Sequence, residues 1–309
     1  MKTKRVYCST EEIEIINIDK KVKSESLDQE KQRLLKSLQN DGNSLALASE
    51  ELKNDKEVVL KFVEQYGWTL KFASEELKKD KEFVLKVVEE NSYSLKYVSE
   101  ELKNDKEVVL KAIQKYGATI QFASDELKND KEVVLKAIER HGWSLEYISN
   151  ELKNDKQIVL KAFKNDRFSF EFASEELKND KELVLELAQQ HGFILNCVSK
   201  ELKNDKEVVL IAVQQNGFSL KYVSEELKND KEVVLEAVQQ NGYSLEFASE
   251  ELKNDKEVVV KAVKQDGSSI EFASEELQND REVNLIVKKM FNIQKDRNDY
   301  FYNIFFKFE

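Results

Sequence analysis

The stretch over residues 101–125 reads ELKNDKEVVLKAIQKYGATIQFASD, and close variants of it follow one another along most of the chain. Its opening phrase, ELKNDKEVVL, returns in the same register at Glu201. Ten complete copies of this stretch occupy residues 26–275 without a gap. A fixed period of this length indicates a tandem repeat protein, in which each copy packs mainly on its sequence neighbours.

Composition and charge narrow the class of protein. Proline is absent from all 309 residues, which favours short helices joined by tight turns. The chain carries 60 acidic and 49 basic residues, a net charge of −11, and an acidic surface repels phosphate backbones. No apolar run reaches membrane-spanning length, and the N-terminus lacks the apolar stretch of a signal peptide. We therefore expect a cytoplasmic protein with no nucleic-acid partner and no membrane insertion.

Each copy contains a one-sided helix in its first half. Asn104 is expected to cap this helix, with Glu107 three residues later at a capping-box spacing. Glu107 can also pair with Lys111 one turn on. The helix is expected to end at Gly117, and its apolar stripe has the spacing of a buried helical face. The stripe consists of Val108, Val109, Ala112 and Ile113, with Leu110 widening it.

A second, shorter helix is predicted to follow at once. Thr119 is a natural N-cap, and nine of the ten complete copies have Ser or Thr here, Ile194 being the exception. Lys128 and Asn129 suit its C-terminus. The residue before the cap is aromatic in seven copies, where it could pack as a hydrophobic staple on an Ala or Val of the same copy. These aromatic residues are Trp68, Tyr93, Trp143, Phe168, Phe193, Phe218 and Tyr243.

All eight glycines occur at one position of the repeat, between the two predicted helices. A glycine at a recurrent corner indicates a backbone with positive φ. Ser92 and Arg167 replace it in two copies, and we expect those corners to be strained. The glycines are Gly42, Gly67, Gly117, Gly142, Gly192, Gly217, Gly242 and Gly267.

A strand-plus-helix horseshoe is the alternative architecture. The segment 217–223 alternates apolar and polar residues as a strand does. It continues directly into Ser-Glu-Glu-Leu-Lys, which prefers helix, and alanine is frequent where a strand favours β-branched residues. The sequence therefore favours an all-α fold, an α-solenoid of 25-residue helix-turn-helix repeats.

The recurring signature ASEELKNDKEVVLKAV resembles the short-repeat family filed as domain of unknown function 4116. The resemblance extends from Ser26 to about Val287. It implies a tandem helical repeat protein without an assigned activity, and it supplies no catalytic or ligand-binding residues.

Residues that carry chemistry are few. His141 and His191 occupy the same repeat position two copies apart, too far for one metal ion. Cys8 and Cys197 have no ligand-type or catalytic neighbours, and a buried free thiol is the simplest interpretation of Cys197. We expect no catalytic site, no cofactor and no metal, and hence no enzyme.

Two uniform polar features accompany the repeat. The block Lys-Asn-Asp-Lys-Glu could present a charged ladder to a periodic partner, but helix caps and pairs within each helix account for most of it. A serine recurs in all ten copies from Ser49 to Ser274. We expect this serine to serve as a small residue where helices approach closely, or to bond its hydroxyl to the preceding turn. A row of reactive or phosphorylated hydroxyls is the less favoured alternative.

The ends of the chain depart from the repeat. Residues 1–25 are an atypical segment that could cap the array, residues 26–285 form the array, and residues 286–309 form a tail. The tail is predicted to cap the last repeat, with docking of a partner as the alternative. Its aromatic residues are Tyr300, Phe301, Tyr302, Phe305, Phe306 and Phe308.

The function favoured by these observations is a non-catalytic scaffold that binds another protein. Specificity would come from a variable position in the second predicted helix, and the tail residues are candidates for contact with a partner. A structural subunit of a larger assembly is the alternative. The variable position holds Lys71, Lys96, Gln121, Glu146, Glu171 and Asn196 in successive copies.

Overall fold

A computed structural model describes residues 26–38 and 41–291 of the chain. The segment predicted as an N-terminal cap, residues 1–25, lies outside the described residues, as do the six aromatic residues of the tail. The chain divides into two compact units, Met1–Leu152 and Lys153–Glu309.

Every complete repeat in the described part contains a ten-residue α-helix, which we call the long helix. It is preceded by an aspartate and separated from the next segment by a single extended residue, such as Tyr116. The long helices are Lys56–Gln65, Lys81–Glu90, Lys106–Lys115, Lys131–Arg140, Lys156–Asn165, Lys181–Gln190, Lys206–Gln215, Lys231–Gln240 and Lys256–Gln265. Further α-helical residues, 26–37 and 281–291, flank the series.

The second half of each repeat begins with a 3₁₀ helix. These helices are Gly42–Leu47, Gly67–Phe72, Ser92–Tyr97, Gly117–Phe122, Gly142–Tyr147, Arg167–Phe172, Gly192–Asn196, Gly217–Tyr222, Gly242–Phe247 and Gly267–Phe272. A short helix follows, either α-helical or, in two repeats, 3₁₀. A structural repeat runs from the aspartate before a long helix to the asparagine after the short helix, as from Asp105 to Asn129. The short helices are Glu50–Lys53, Glu75–Lys79, Glu100–Lys103, Asp125–Lys128, Asn150–Lys153, Glu175–Lys178, Leu202–Asn204, Leu227–Asn229, Glu250–Lys253 and Glu275–Gln278.

The predicted cap of the long helix was wrong by one residue. Asp105, not Asn104, is the N-cap, and its carboxylate accepts from the backbone N–H groups of Glu107 and Val108 at 3.0 and 3.1 Å. A carboxylate at the helix N-terminus also complements the helix dipole. Asn104 instead ends the preceding short helix, and its side chain donates to Glu126 of the next repeat at 2.9 Å.

The second predicted helix is divided into two. Thr119 does not cap it: the threonine is fully buried inside the 3₁₀ helix, and its hydroxyl donates to the carbonyl of Tyr116 at 2.7 Å. The chain then becomes extended at Ala123, with φ −68° and ψ 162°, before the short helix begins. Each repeat therefore has three helical segments instead of two, because a second helix start interrupts the predicted helix.

That second helix start is the recurring serine. A structural role was predicted for it, but the serine caps the short helix instead of bonding to the preceding turn. Ser249 accepts from the backbone N–H of Leu252 at 3.2 Å, as an N-cap does. Its hydroxyl also donates to Asn229 of the preceding repeat. One side chain thus both starts a helix and joins two repeats, which explains why serine recurs where a merely small residue would not suffice.

The predicted apolar stripe forms the core. Val108, Val109 and Ala112 are fully buried and Ile113 nearly so, while Leu110 is half-buried at the edge of the stripe. Apolar residues of the other two segments complete the layer. Those of the same repeat are Ile120, Ala123 and Leu127.

The recurring glycine has a different cause from the predicted one. Among the described residues no glycine and no other residue has a positive φ, so the left-handed corner is wrong. A Cβ at Gly242 would lie only 2.6 Å from the carbonyl oxygen of Ala262 in the next repeat. At Gly242, and likewise at Gly117, Gly192 and Gly217, glycine therefore allows the close approach of two backbones. Ser92 and Arg167 also keep ordinary backbone angles, so strain at those corners is likewise wrong.

Within each unit, the long helix of one repeat packs on the long helix of the next. The 3₁₀ helices of neighbouring repeats also contact one another, so that each unit is a stack of repeats. No strand occurs among residues 26–38 and 41–291, which rules out the strand-plus-helix horseshoe there. The predicted fold class, an all-α solenoid of 25-residue repeats, is confirmed.

Candidate interaction surface

The variable positions predicted from sequence all lie on 3₁₀ helices, at the fifth residue of each. Lys71, Lys96 and Glu171 are exposed, whereas Gln121 and Glu146 are half-buried. In the unit Met1–Leu152 this position changes from lysine to glutamine to glutamate along successive repeats. The charge at this position therefore changes along the unit, whereas the core beneath it is nearly constant.

Aromatic rings flank these variable positions and contact the rings of neighbouring repeats. The second residue of one 3₁₀ helix packs edge-to-face on the sixth residue of the next 3₁₀ helix, as Tyr93 does on Phe122. We call this series the aromatic ladder. Its pairs include Tyr93–Phe122, Phe193–Tyr222, Phe218–Phe247 and Tyr243–Phe272, with ring centroids 6.1, 6.4, 6.3 and 5.7 Å apart.

The ladder was not predicted. The sequence analysis assigned the first ring of each pair to a staple within its own repeat, but the structure pairs it with a ring of the next repeat. Edge-to-face pairs at these separations are favourable geometries for aromatic rings. The signal that could have revealed the ladder is the recurrence of two aromatic positions at a constant offset.

Two lysines at the variable position lie over rings of their own 3₁₀ helix. The Nζ atom of Lys71 is 4.8 Å from the ring centroid of Trp68 and 4.6 Å from that of Phe72. Lys96 lies 5.6 Å from the centroid of Tyr97. A cation above an aromatic face is attracted to it, so these lysines and rings form one mixed surface.

Several rings remain open to solvent on this side. Tyr93 is 48% exposed and Tyr116 is 37% exposed, and the two rings stack with centroids 5.5 Å apart. His141 extends the stack, with its ring 5.3 Å from that of Tyr116. Trp143 in the same unit is 36% exposed. Exposed aromatic residues held in place by neighbouring rings are typical anchors of protein interfaces.

Three ring side chains on this surface have pKa values shifted towards their neutral forms. Burial and a hydrogen bond with Tyr116 raise the pKa of Tyr93, and a hydrogen bond with Glu146 together with burial raises the pKa of Tyr147. Burial, with a smaller contribution from the charge of Arg167, lowers the pKa of His191. These shifts favour the neutral forms of Tyr93, Tyr147 and His191.

Cys197 is a free thiol and is half-buried, not fully buried as predicted. Burial, then the charge of Glu171, raises the pKa of Cys197, which disfavours the thiolate that acts as a nucleophile. Cys8 lies outside the described residues. Within residues 26–38 and 41–291, no three His, Cys, Asp or Glu side chains are grouped so that they could hold a metal ion.

The charged block Lys-Asn-Asp-Lys-Glu acts mainly between repeats. Lys106 contacts Asp130 and Glu132 of the next repeat, both at 2.8 Å, and the same arrangement recurs in both units. Glu107 pairs with Lys81 of the preceding repeat at 2.8 Å, where a pair with Lys111 was predicted. Most charges of the block are thus engaged in holding neighbouring repeats together, which accounts for its uniformity.

This ionic contact also affects the pKa of the N-cap aspartate. The hydrogen bond from Lys106, opposed by burial and reinforced by the backbone N–H of Val133, lowers the pKa of Asp130. Asp130 therefore has two roles: it caps its long helix and it accepts a hydrogen bond from a lysine of the preceding repeat.

The chain matches one family model, described as Domain of unknown function (DUF4116), in overlapping segments that follow the repeats. The matched segments are 31–78, 80–128, 105–153, 130–178, 155–203, 180–228, 205–253, 230–278 and 255–290. Together they cover most of the sequence, so the chain belongs to this family and the resemblance stated above is confirmed. Comparisons with curated proteins and with solved structures found no match. None of the helices that the structure describes combines the length and the apolar character needed to cross a membrane.

Proposed function

We propose that this member of the DUF4116 family is a non-catalytic, cytoplasmic scaffold that binds another protein through the surface of its 3₁₀ helices. The observation that carries the proposal is the combination, on that surface, of exposed rings with a charge that varies from repeat to repeat. The rings would supply binding energy and the variable residues specificity.

The block Lys-Asn-Asp-Lys-Glu is uniform and its charges are paired, and this contrast supports the choice of the 3₁₀ surface. The lysines and carboxylates of the block are paired across repeats and are nearly identical in every copy, so they distinguish one repeat from another poorly. Lys71 and Lys96 lie over half-buried rings, and Tyr93 stacks on the exposed ring of Tyr116. None of these three residues is part of that ionic series. The net charge of −11 makes a nucleic-acid partner unfavourable on electrostatic grounds.

The proposal is tested by affinity capture from extracts of the source cells with three forms of the full chain. The first is wild type and the second carries Lys71→Glu, Lys96→Glu and Tyr93→Ala. The third carries Lys86→Glu on a long helix of the same unit and serves as a matched control. We expect wild type and control to capture the same protein, and the triple variant to lose it.

Capture of the same protein by all three forms would refute this surface as the binding site. Light scattering of the purified chain provides a second measurement. A homo-oligomer that dissociates in the triple variant would instead favour the alternative predicted from sequence, a structural subunit.

A further inference from the structure

The aromatic ladder is interrupted once within the unit Lys153–Glu309, at Cys197. The sixth position of the 3₁₀ helix carries a ring in every other described repeat after the first, which has Leu47. The residues with a ring at this position are Phe72, Tyr97, Phe122, Tyr147, Phe172, Tyr222, Phe247 and Phe272. A thiol is much smaller than any of these side chains, so the ladder lacks one ring at Cys197.

The ring that would have paired with this position is Phe168 of the preceding repeat, by the same offset that relates Tyr93 to Phe122. Phe168 is 59% exposed, more than any other aromatic residue that the structure describes. Its ring contacts His191 edge-to-face, with centroids 5.8 Å apart. The missing ring thus leaves its ladder partner open to solvent.

A cavity of about 240 Å³ occupies this place. It is lined by Phe168, His191, Phe193, Ile194, Cys197 and Tyr222, among other residues. Ile194 stands where the other complete repeats have Ser or Thr, which makes the cavity more apolar. An apolar cavity of roughly 150 Å³ is large enough to bind benzene, so this one has room for a substituted ring.

The polar groups around the cavity indicate which substituent a bound ring would carry. The Nε2 atom of His191 is buried and has no hydrogen-bond partner among the described residues. In the other unit, the hydroxyl of Tyr116 lies 3.5 Å from Nε2 of His141, which occupies the same repeat position. A histidine at this position can therefore receive a phenolic hydroxyl.

The positive charges near the cavity favour a ligand in which acidic residues flank the ring. Arg167 lines the cavity at the position where eight of the ten repeats have glycine. Lys203 donates to the carbonyl of Asn196, another lining residue, at 3.1 Å. Lys178 is paired with Glu175 at 2.9 Å, which offsets its charge. The negative charge of Glu171 acts in the opposite sense and raises the pKa of the Cys197 thiol.

We propose that this cavity binds a tyrosine side chain of a partner protein, flanked in the partner sequence by acidic residues. The partner's ring takes the place that Phe or Tyr fills in the other repeats, against Phe168 and Tyr222, and its hydroxyl reaches His191. The proposal rests on the proposed function, because the occupant belongs to another protein. It identifies one specific anchor point on the surface described above.

The test is a titration of the full-length protein with the peptide Asp-Asp-Tyr-Asp, blocked at both ends, and with its Tyr→Ala analogue. Binding is followed by the NMR signal of the Ile194 methyl groups, assigned with an Ile194→Val variant. We expect saturable shifts of this signal with the tyrosine peptide. Loss of ring burial should weaken the alanine analogue by about tenfold or more.

Three variants make the result specific. Cys197→Phe restores the missing ring and should abolish the shifts, while Phe247→Tyr changes the equivalent position of a distant repeat and should leave them unchanged. Arg167→Gly restores the residue of eight other repeats and should weaken binding of the acidic peptide severalfold. Circular dichroism and thermal melting establish that each variant is folded.

Absence of shifts with the tyrosine peptide, or equal shifts in the folded Cys197→Phe variant, would overturn the proposal. Equal affinity for the alanine analogue would do so as well. Because the titration needs no natural partner, and the capture experiment probes residues of the other unit, either proposal can fail without the other.

Discussion

The close approach at the recurring glycine gives a prediction in which one substitution has opposite effects in adjacent repeats. At Gly242, an added Cβ would lie 2.6 Å from the carbonyl oxygen of Ala262 and 3.2 Å from the backbone nitrogen of Asp266. At Gly267, the nearest atom is Cβ of Met290 at 3.5 Å, an ordinary van der Waals contact. Neither glycine has a positive φ, so alanine is compatible with the backbone angles at both positions.

The expected magnitudes follow from this geometry. Gly242→Ala forces the backbones of two repeats apart, and such overpacking costs about 1–3 kcal/mol. Alanine in place of glycine also restricts the unfolded chain, which stabilises by about 0.4–1 kcal/mol at both positions. We therefore expect Gly242→Ala to lower the free energy of unfolding by about 1–2 kcal/mol, and Gly267→Ala to leave it unchanged or raise it slightly.

Urea denaturation of the two variants measures the difference, and native-state hydrogen exchange locates it. Protection should be lost near Gly242 and in the long helix Lys256–Gln265, while repeats several positions away stay protected, because each repeat contacts mainly its neighbours. Equal destabilisation by both substitutions would refute the close-approach explanation. It would indicate instead that the backbone conformation itself requires glycine.

Three further predictions concern caps, pH and the tail. Ser249→Ala should cost about 1 kcal/mol in urea denaturation through loss of an N-cap, whereas Ser244→Ala should be neutral or stabilising, since that buried hydroxyl has no partner among the described residues; equal losses would contradict this assignment. The pKa of Asp130 is lowered from 3.8 in the folded state, so its contribution is complete above that value and is lost as pH falls below it. Denaturation midpoints measured from pH 7 to pH 3 should therefore depend less on pH in Asp130→Asn, and an unchanged profile would exclude this role. Replacing three tail rings by serine should lower the melting temperature if the tail caps the last repeat, and an unchanged melting curve would favour the docking alternative. These residues are Tyr302, Phe305 and Phe306.

The period and the apolar pattern were sufficient to predict the fold class and the core. Val108, Val109, Ala112 and Ile113 were predicted from helical spacing alone, and all are buried. Such predictions succeed because burial of one helical face depends on spacing along the chain, and a repeat presents the same spacing many times. The variable position holding Lys71 and Lys96 was also visible, because surface residues change while the core stays constant.

The caps depended on finer geometry than the sequence pattern resolves. Asn104 and Asp105 are both good N-cap residues, and which of them starts the helix depends on contacts with the next repeat. The same holds for Thr119 and Ser124, two candidate caps in one repeat, of which only the second starts an α-helix. Local propensity identified the candidates, and packing between repeats selected one of each pair.

The sequence by itself determined that the chain is a helical repeat array, which residues form its core, and which repeats depart from the consensus. Only the tertiary structure decided what the departures do. The glycine position, the aromatic ladder and the cavity beside Cys197 all arise from atoms that belong to different repeats and meet where those repeats pack together. A one-dimensional pattern records that such residues recur, but it does not contain the separation between them, because that distance is set by how one repeat packs on the next.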